Sequence, residues 1–539
     1  MLFSKSLFVQ SIYIATITSL VVTANTDWRV GQIVQTSSGL IKGHAAKDAD
    51  QVSEYLGIPY AQPPVDGLRF QPSVRYNGTD TIAARSFGHA CMQPALSLSG
   101  TGKRQIFGLD LTQAGLVLLT SYATSIPSQS EDCLTLNIWT KPQTGDDKKA
   151  VMVWIHGGGW KTGASGIAWY NGQYFADQED VVLVSINYRL NIFGFPGNPN
   201  TTANLGLLDQ RLAIEWIRDN IEGFGGDPER ITIFGQSVGG SSVDIYSYAW
   251  NDDPIVKGVI SQSGVAWAFG LQDQSAATDQ WQSAASTVGC TGSTDDTLSC
   301  MNGLPATKVL SAIQGTATFG AIIDDKIVFS DYSAQKPVGL PMLVGHTDFE
   351  PGLTRALSQI NVAADVYDAQ QHDIWVCPTA ERAQYAVLNA NPIWRYRYFG
   401  EFPNTILSDD PPSGAYHTAE LPIIFGTVTQ SVHANTDAES NIISYIRGAW
   451  AAFAKDPEKG LLSYGDGWPQ YSADGQTLIK LAYNNQTGPN LDTGNAYDSG
   501  CSVPRSPSPT PSNVTGKLSL SRSMLILTGV VAIRYLIRF

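Results

Sequence analysis

The stretch Ile231-Thr-Ile-Phe-Gly-Gln-Ser-Val-Gly-Gly240 sets a G-x-S-x-G pentapeptide, Gly235 to Gly239, between a short apolar β run and residues that can start a helix. A serine on such a strand-to-helix turn sits at a sharp, strained bend. Small residues two positions either side let the two backbones approach. The bend lifts the hydroxyl out of the sheet and aims the next backbone N–H at the same point, which suits a nucleophile. Gly and Ser also make ordinary turns, so the pentapeptide gains its meaning from the rest of the chain.

Upstream, Ala150 to Ile155 (AVMVWI) is a near-continuous apolar run, as expected of a strand buried on both faces. It runs into His156-Gly157-Gly158-Gly159-Trp160. Glycines at the end of a central strand allow unusual backbone angles, and lipases and esterases use such loops to offer N–H groups to an oxyanion. Val181 to Tyr188 reads as the next buried strand. Asn204 to Ile221 reads as a helix, with Leu205, Leu208, Leu212 and Trp216 at helical spacing, broken at Gly223 to Pro228. Further strands are expected at Gly258 to Gly264, Pro341 to Thr347 and Ile393 to Phe399, and an amphipathic helix at Ser440 to Asp456. Strands alternating with helices over this length predict an α/β fold with a large, mostly parallel sheet.

The N-terminal part reads differently. Val34 to Gly43 suggests an antiparallel edge hairpin. The prolines of Tyr55 to Val74 point to an ordered extended loop. Arg69 lies in an apolar patch there and requires a carboxylate partner if buried. Between Cys91 and Cys133, Ile106 to Leu119 is strongly apolar, and a core helix and a lid or gorge wall are both open readings.

Charged residues make up only 15% of the chain and the net charge is −14, which argues against nucleic acid and against an anionic membrane surface as partner. Lys5 and the apolar run to Ala24 read as a signal peptide, residues 1–24. Sequons at Asn77, Asn200, Asn485 and Asn513 would mark glycosylated surface positions in a secreted chain. Six cysteines (Cys91, Cys133, Cys290, Cys300, Cys377, Cys501) fit three disulfides, but 15 pairings exist. No C-x-x-C or Cys/His cluster suggests a metal. Residues 503–523 form a Pro/Ser-rich stalk after the single domain at 25–502. The apolar tail at 524–539 is interrupted by Arg534 and falls short of the about 20 residues a spanning helix needs. A glycolipid-anchor signal and a free tail are both compatible with it.

Taken together, GIPYAQPPVDGLRF, SEDCLTLNIW, HGGGW, NYR, LGLLDQRLAIEWI, FGGDP, GQSVGG and SQSG appear in this order. The chain therefore resembles the type-B carboxylesterase/cholinesterase family of α/β-hydrolases over roughly residues 30 to 500. The resemblance implies a catalytic triad of Ser237, Glu350 (in Gly345-His-Thr-Asp-Phe-Glu350) and His417 (in His417-Thr-Ala-Glu420), with Asp348 as the alternative acid. It implies an oxyanion site of the Gly158, Gly159 and Val238 N–H groups, and no metal or organic cofactor. It implies the pairs Cys91–Cys133, Cys290–Cys300 and Cys377–Cys501, and buried ion pairs Arg69–Glu131 and Arg189–Asp209. His156 would shape the glycine loop; His44, His89, His346, His372 and His433 match no motif.

Three departures stand out. Pro351 precedes Gly352 where the family usually has glycine directly after the acid. The Cys91 to Cys133 segment has no Trp to hold a quaternary ammonium, and Gln236 replaces the usual Glu before the serine. The expected function is therefore a secreted or cell-surface serine ester hydrolase acting on small to medium apolar esters rather than choline esters. A lipase and a catalytically silent, cholinesterase-like adhesion protein are the alternatives. Oligomeric state is not legible.

Overall fold

The computed structural model describes residues 28–94, 105–106, 109–142, 147–313, 319–357 and 362–502. The expected leader, the stalk, the tail and Asn513 lie outside these residues. Among the described residues, one sheet has eleven strands. They are β1 (His44–Ala45), β2 (Ser53–Pro59), β3 (Thr135–Thr140), β4 (Lys149–Ile155), β5 (Val182–Ile186), β6 (Gly226–Gln236), β7 (Gly258–Gln262), β8 (Met342–Thr347), β9 (Ile393–Tyr398), β10 (Gln476–Leu481) and β11 (Asp492–Thr493). Their spatial order is β11-β10-β9-β8-β7-β6-β4-β5-β3-β2-β1. The strands from β5 across to β10 are parallel, and both margins turn antiparallel.

The continuous apolar runs follow from burial on both faces. All of β4 is buried, with Val151, Val153 and Ile155 facing one core and Ala150, Met152 and Trp154 the other. Fully burying one such side chain contributes about 1.5–3 kcal/mol. Register locks the layers together: Val153 pairs Ile233, Phe234 pairs Ile260, and Ile260 pairs Leu343.

Six helices matter for the site: α1 (Gln113–Thr124), α2 (Leu205–Asn220), α3 (Val238–Ala249), α4 (Ala364–Gln370), α5 (Cys377–Leu388) and α6 (Asp437–Lys455). Helix α6 begins three residues before its expected start because Thr436 and Glu439 form a capping box. It buries Ile442, Ile446, Ala449, Trp450 and Phe453 against the second core.

Two expectations are corrected. The start of the Tyr55 to Val74 loop is strand β2, which pairs with β3; its backbone bonds are made before the prolines intervene, with Pro59 at the strand's end. The apolar run at Ile106 to Leu119 is not one helix. Residues 105–106 and 109–110 pair as two short strands, and Thr112 then caps α1 by accepting from Gly115 N–H. Leu118 is buried while Leu116, Val117 and Leu119 are half-buried, so one side of α1 is core. The expected hairpin forms between Ile33–Thr36 and Gly39–Lys42, but in a separate three-stranded sheet with Thr81–Ala83 rather than as an edge of the large sheet.

The cysteines pair as Cys91–Cys133, Cys290–Cys300 and Cys377–Cys501. Arg69 makes a bidentate pair with Glu131 at 2.6 Å, and its remaining nitrogen donates to the carbonyls of Met301, Asn302 and Leu304. Arg189 holds Asp209 in the same way at 2.7–2.8 Å. Both pairs are deeply buried and fix loops rather than face the site. Asn77, Asn200 and Asn485 are exposed.

Candidate active site

Ser237 follows β6 and caps α3 with φ +59° and ψ −131°, a region that a non-glycine residue enters only when its surroundings force it. The close approach is visible at Gly239, where a Cβ would fall 2.2 Å from the Ile155 carbonyl oxygen. Strand β4 and the turn thus touch backbone to backbone, which brings the glycine loop onto the serine. A Cβ on Gly157 would lie 3.0 Å from Ser237 Cβ. In that loop Gly158 has φ +108°. Among the described residues, the N–H groups of Gly158, Gly159 and Val238 meet no backbone acceptor. Val238 N–H belongs to the first turn of α3, where helix donors have no partner of their own.

His156 is buried beneath this loop. Its Nδ1 bonds the Gly157 carbonyl at 2.9 Å and its ring stacks on Tyr188 at 4.5 Å. Burial pushes its imidazole down to about 4, against the pull of that hydrogen bond, so the ring is neutral and structural at physiological pH.

The acid loop follows β8. Glu350 is 1% exposed. Its Oε1 accepts from Thr347 N–H at 2.8 Å, and its own N–H donates to Gln371 Oε1 at 2.8 Å. His417 Nδ1 bonds Glu350 Oε2, and the His417 N–H donates to the Glu350 carbonyl at 3.1 Å. Asp348 is turned away; it pairs with Arg397 at 2.7 Å and is partly exposed. Pro351 does not disturb the carboxylate: Gly352 N–H closes a turn onto Phe349, and a short helix starts at Gly352.

At the other ring nitrogen, Gln236 Nε2 lies 3.0 Å from His417 Nε2. Among the described residues Ser237 Oγ makes no hydrogen bond of its own. Gln236 Nε2 also lies 3.3 Å from His417 Nδ1, so the amide covers the ring rather than one nitrogen, and the serine–histidine hydrogen bond is not made in this arrangement. Such bonds commonly form only once substrate is bound.

Sequence reasoning missed four contributors. Gln371 and Trp375 carry no motif. Gln236 stood out as a departure but not as a contact of His417. Glu420 was read only as context for the histidine. It is a fully buried carboxyl whose Oε1 accepts from Gln262 Nε2 at 3.2 Å; Trp450 Nε1 donates to Gln262 Oε1 and so orients that amide. Among the described residues Oε2 has no partner. Burial, and then the Glu350 carboxylate, push the Glu420 carboxyl up to about 7.

A carboxyl raised in the folded state holds its proton better when folded, so its contribution is complete below the ordinary value of 4.5 and is lost as pH rises through about 7. Glu420→Gln should therefore raise the unfolding midpoint relative to wild type more at pH 8 than at pH 5. An equal difference at the two pH values would refute this.

Among the described residues, His372, Cys377 and Cys501 are the group with metal-ligand atoms close together. Both sulfurs are in one disulfide and offer no thiolate.

The profile of the Carboxylesterase family matches residues 30–374 and 354–497. The chain is 33% identical to secreted lipase 5 of Gibberella zeae over 84% of its length and 90% of that protein. It is 32% identical to the chlorogenic acid esterase of Aspergillus niger, with the same coverage of 84% and 90%. It is 30% identical to the para-nitrobenzyl esterase of Bacillus subtilis over 83% and 94%. The chain belongs to the carboxylesterase family, and its sheet is that of an α/β-hydrolase.

Proposed function

From membership of the carboxylesterase family as premise, we propose that this protein is a serine carboxylic-ester hydrolase with Ser237 as nucleophile, His417 as general base and acid, and Glu350 as its orienting carboxylate. The supporting observation is the buried Glu350–His417 contact beside a strained serine turn and a glycine loop. A serine hydroxyl is a weak nucleophile at neutral pH. His417 Nε2 takes its proton as Oγ bonds to the ester carbon, and the carbonyl π electrons move to oxygen. The tetrahedral oxyanion is held by the N–H groups of Gly158, Gly159 and Val238. Collapse expels the alcohol, which takes the proton from His417. Water, deprotonated by His417, then releases the acid and restores Ser237. Glu350 holds Nδ1–H throughout and stabilises the imidazolium.

A fluorophosphonate probe should label the protein, with the adduct mapped to Ser237. An unlabelled protein would favour a silent adhesion-type relative. Gly158→Ala keeps the N–H but has to displace it, so kcat should fall, by up to the about 10²–10³ that losing one oxyanion donor costs. The residue has φ +108°, and the added Cβ would meet the Thr162 carbonyl oxygen at 2.1 Å. A near-wild-type kcat in a folded variant would remove Gly158 from the oxyanion site.

Lipase action is a second reading, favoured by the secreted lipase relative and by the half-buried apolar side of α1. A jump in rate as the substrate passes its solubility limit would support it; preference for dissolved short esters would oppose it. Secretion is supported by the leader-like residues 1–24, the three disulfides and the exposed Asn77, Asn200 and Asn485. Among the described residues no helix is long and apolar enough to cross a membrane. Attachment through the tail at 524–539 is a matter for mass spectrometry of the mature C-terminus.

A further inference from the structure

Helices α4 and α5 are joined by a π-helical turn, Gln371–Val376, rather than by a continuation of α-helix. Such a turn accommodates an extra residue and re-aims the side chains that follow; it is frequent at functional sites. Here it serves two ends of the same site. Gln371, at its start, takes the Glu350 N–H through Oε1 and donates from Nε2 to the Thr347 carbonyl at 3.3 Å. Trp375, near its end, lies against the His417 imidazole, with ring centroids 5.7 Å apart and planes at 48°. The Cys377–Cys501 disulfide anchors the chain two residues later.

Trp375 is only half-buried, although Gln371, Val376 and Cys377 around it are buried. Its Nε1 is covered and meets no acceptor among the described residues. Whatever part of the indole is accessible is therefore carbon. An ester must bring its alcohol oxygen within hydrogen-bond reach of His417 Nε2 to collect a proton. A group of that ester then passes beside the ring that flanks His417. An accessible carbon surface of an indole favours flat, polarisable groups over puckered ones of equal size.

We propose that Trp375 is a specificity-determining residue, presented by the π-helical turn as an aromatic wall that selects esters carrying a flat, conjugated or aromatic group beside His417. The inference rests on the assignment of His417 as the base. The flat group belongs either to the acid or to the alcohol half of the ester, and two matched substrate pairs separate these sources. The acid pair is p-nitrophenyl benzoate against p-nitrophenyl cyclohexanecarboxylate. The alcohol pair is benzyl acetate against cyclohexylmethyl acetate.

Wild type, Trp375→Phe and Trp375→Leu are compared by kcat/KM. Intrinsic reactivity cancels when the flat-to-puckered ratio of a variant is divided by that of wild type. Trp375→Leu should lower this ratio roughly 3- to 10-fold in one pair, and Trp375→Phe should keep most of it. The pair that responds names the half of the ester involved. If all four rates fall by one common factor, Trp375 only buttresses His417 and the proposal is overturned. It is equally overturned if Trp375→Leu stays folded by its unfolding midpoint and neither ratio moves. Absence of hydrolysis by wild type on every substrate would instead defeat the hydrolase reading itself, and is distinguishable from unchanged ratios.

Discussion

Ser237→Ala should reduce kcat toward a short p-nitrophenyl ester by on the order of 10⁶, leaving the fold intact. The reason is mechanistic. Without Oγ there is no acyl-enzyme, and the residual rate comes only from binding and the oxyanion donors, about 10³–10⁴ over water. The turn itself should survive, because its shape comes from backbone contacts that alanine keeps: Ser237 N–H to the Gln262 carbonyl at 2.8 Å, and Ser241 N–H to the Ser237 carbonyl at 2.9 Å. An unfolding midpoint close to wild type would show that the loss is chemical. Equal hydrolysis by the two proteins would end the serine-hydrolase proposal.

Glu350→Gln should be nearly as severe, with kcat falling by about 10⁴. The glutamine keeps the volume and can still accept from Thr347 N–H, but it brings an N–H₂ group and removes the charge. If that group faces His417 Nδ1, the imidazole is held in the tautomer that carries its proton on Nε2 and cannot act as a base. The charge that stabilises the imidazolium is lost in either orientation. The companion variant Asp348→Asn should leave kcat within a few-fold, since Asp348 engages Arg397 and not the histidine. Its pair is partly exposed, so the stability cost should be about 1 kcal/mol or less. A large kcat loss in Asp348→Asn with a mild one in Glu350→Gln would reverse the assignment of the acid.

The buried strands were legible because their signal is local. Residues such as Ala150 to Ile155 of β4 are apolar at every position when both faces are covered, whatever they pair with. The same holds for the serine turn, whose small residues record a backbone contact within a few positions of chain. Strand β2 was misread for the same local reason: the prolines that follow it outweighed the residues before them, and only pairing with β3 shows it as a strand. The glutamate and histidine came from motif resemblance rather than from any pattern in the residues.

The chain's own order of residues therefore determined the layered sheet, the strained serine and the glycine loop beside it, since covalent neighbours and periodic burial leave their mark on composition. Tertiary structure decided everything that joins distant segments. It selected one cysteine pairing among many and set Glu350, not Asp348 two residues away, against the His417 ring. It also placed Gln236 on the ring of a histidine 181 positions later in the chain, and set Trp375 against that ring through a single turn of wider helix. The physical reason is that such contacts depend on which strands lie side by side and on how loops at their ends converge. Local sequence carries no record of either.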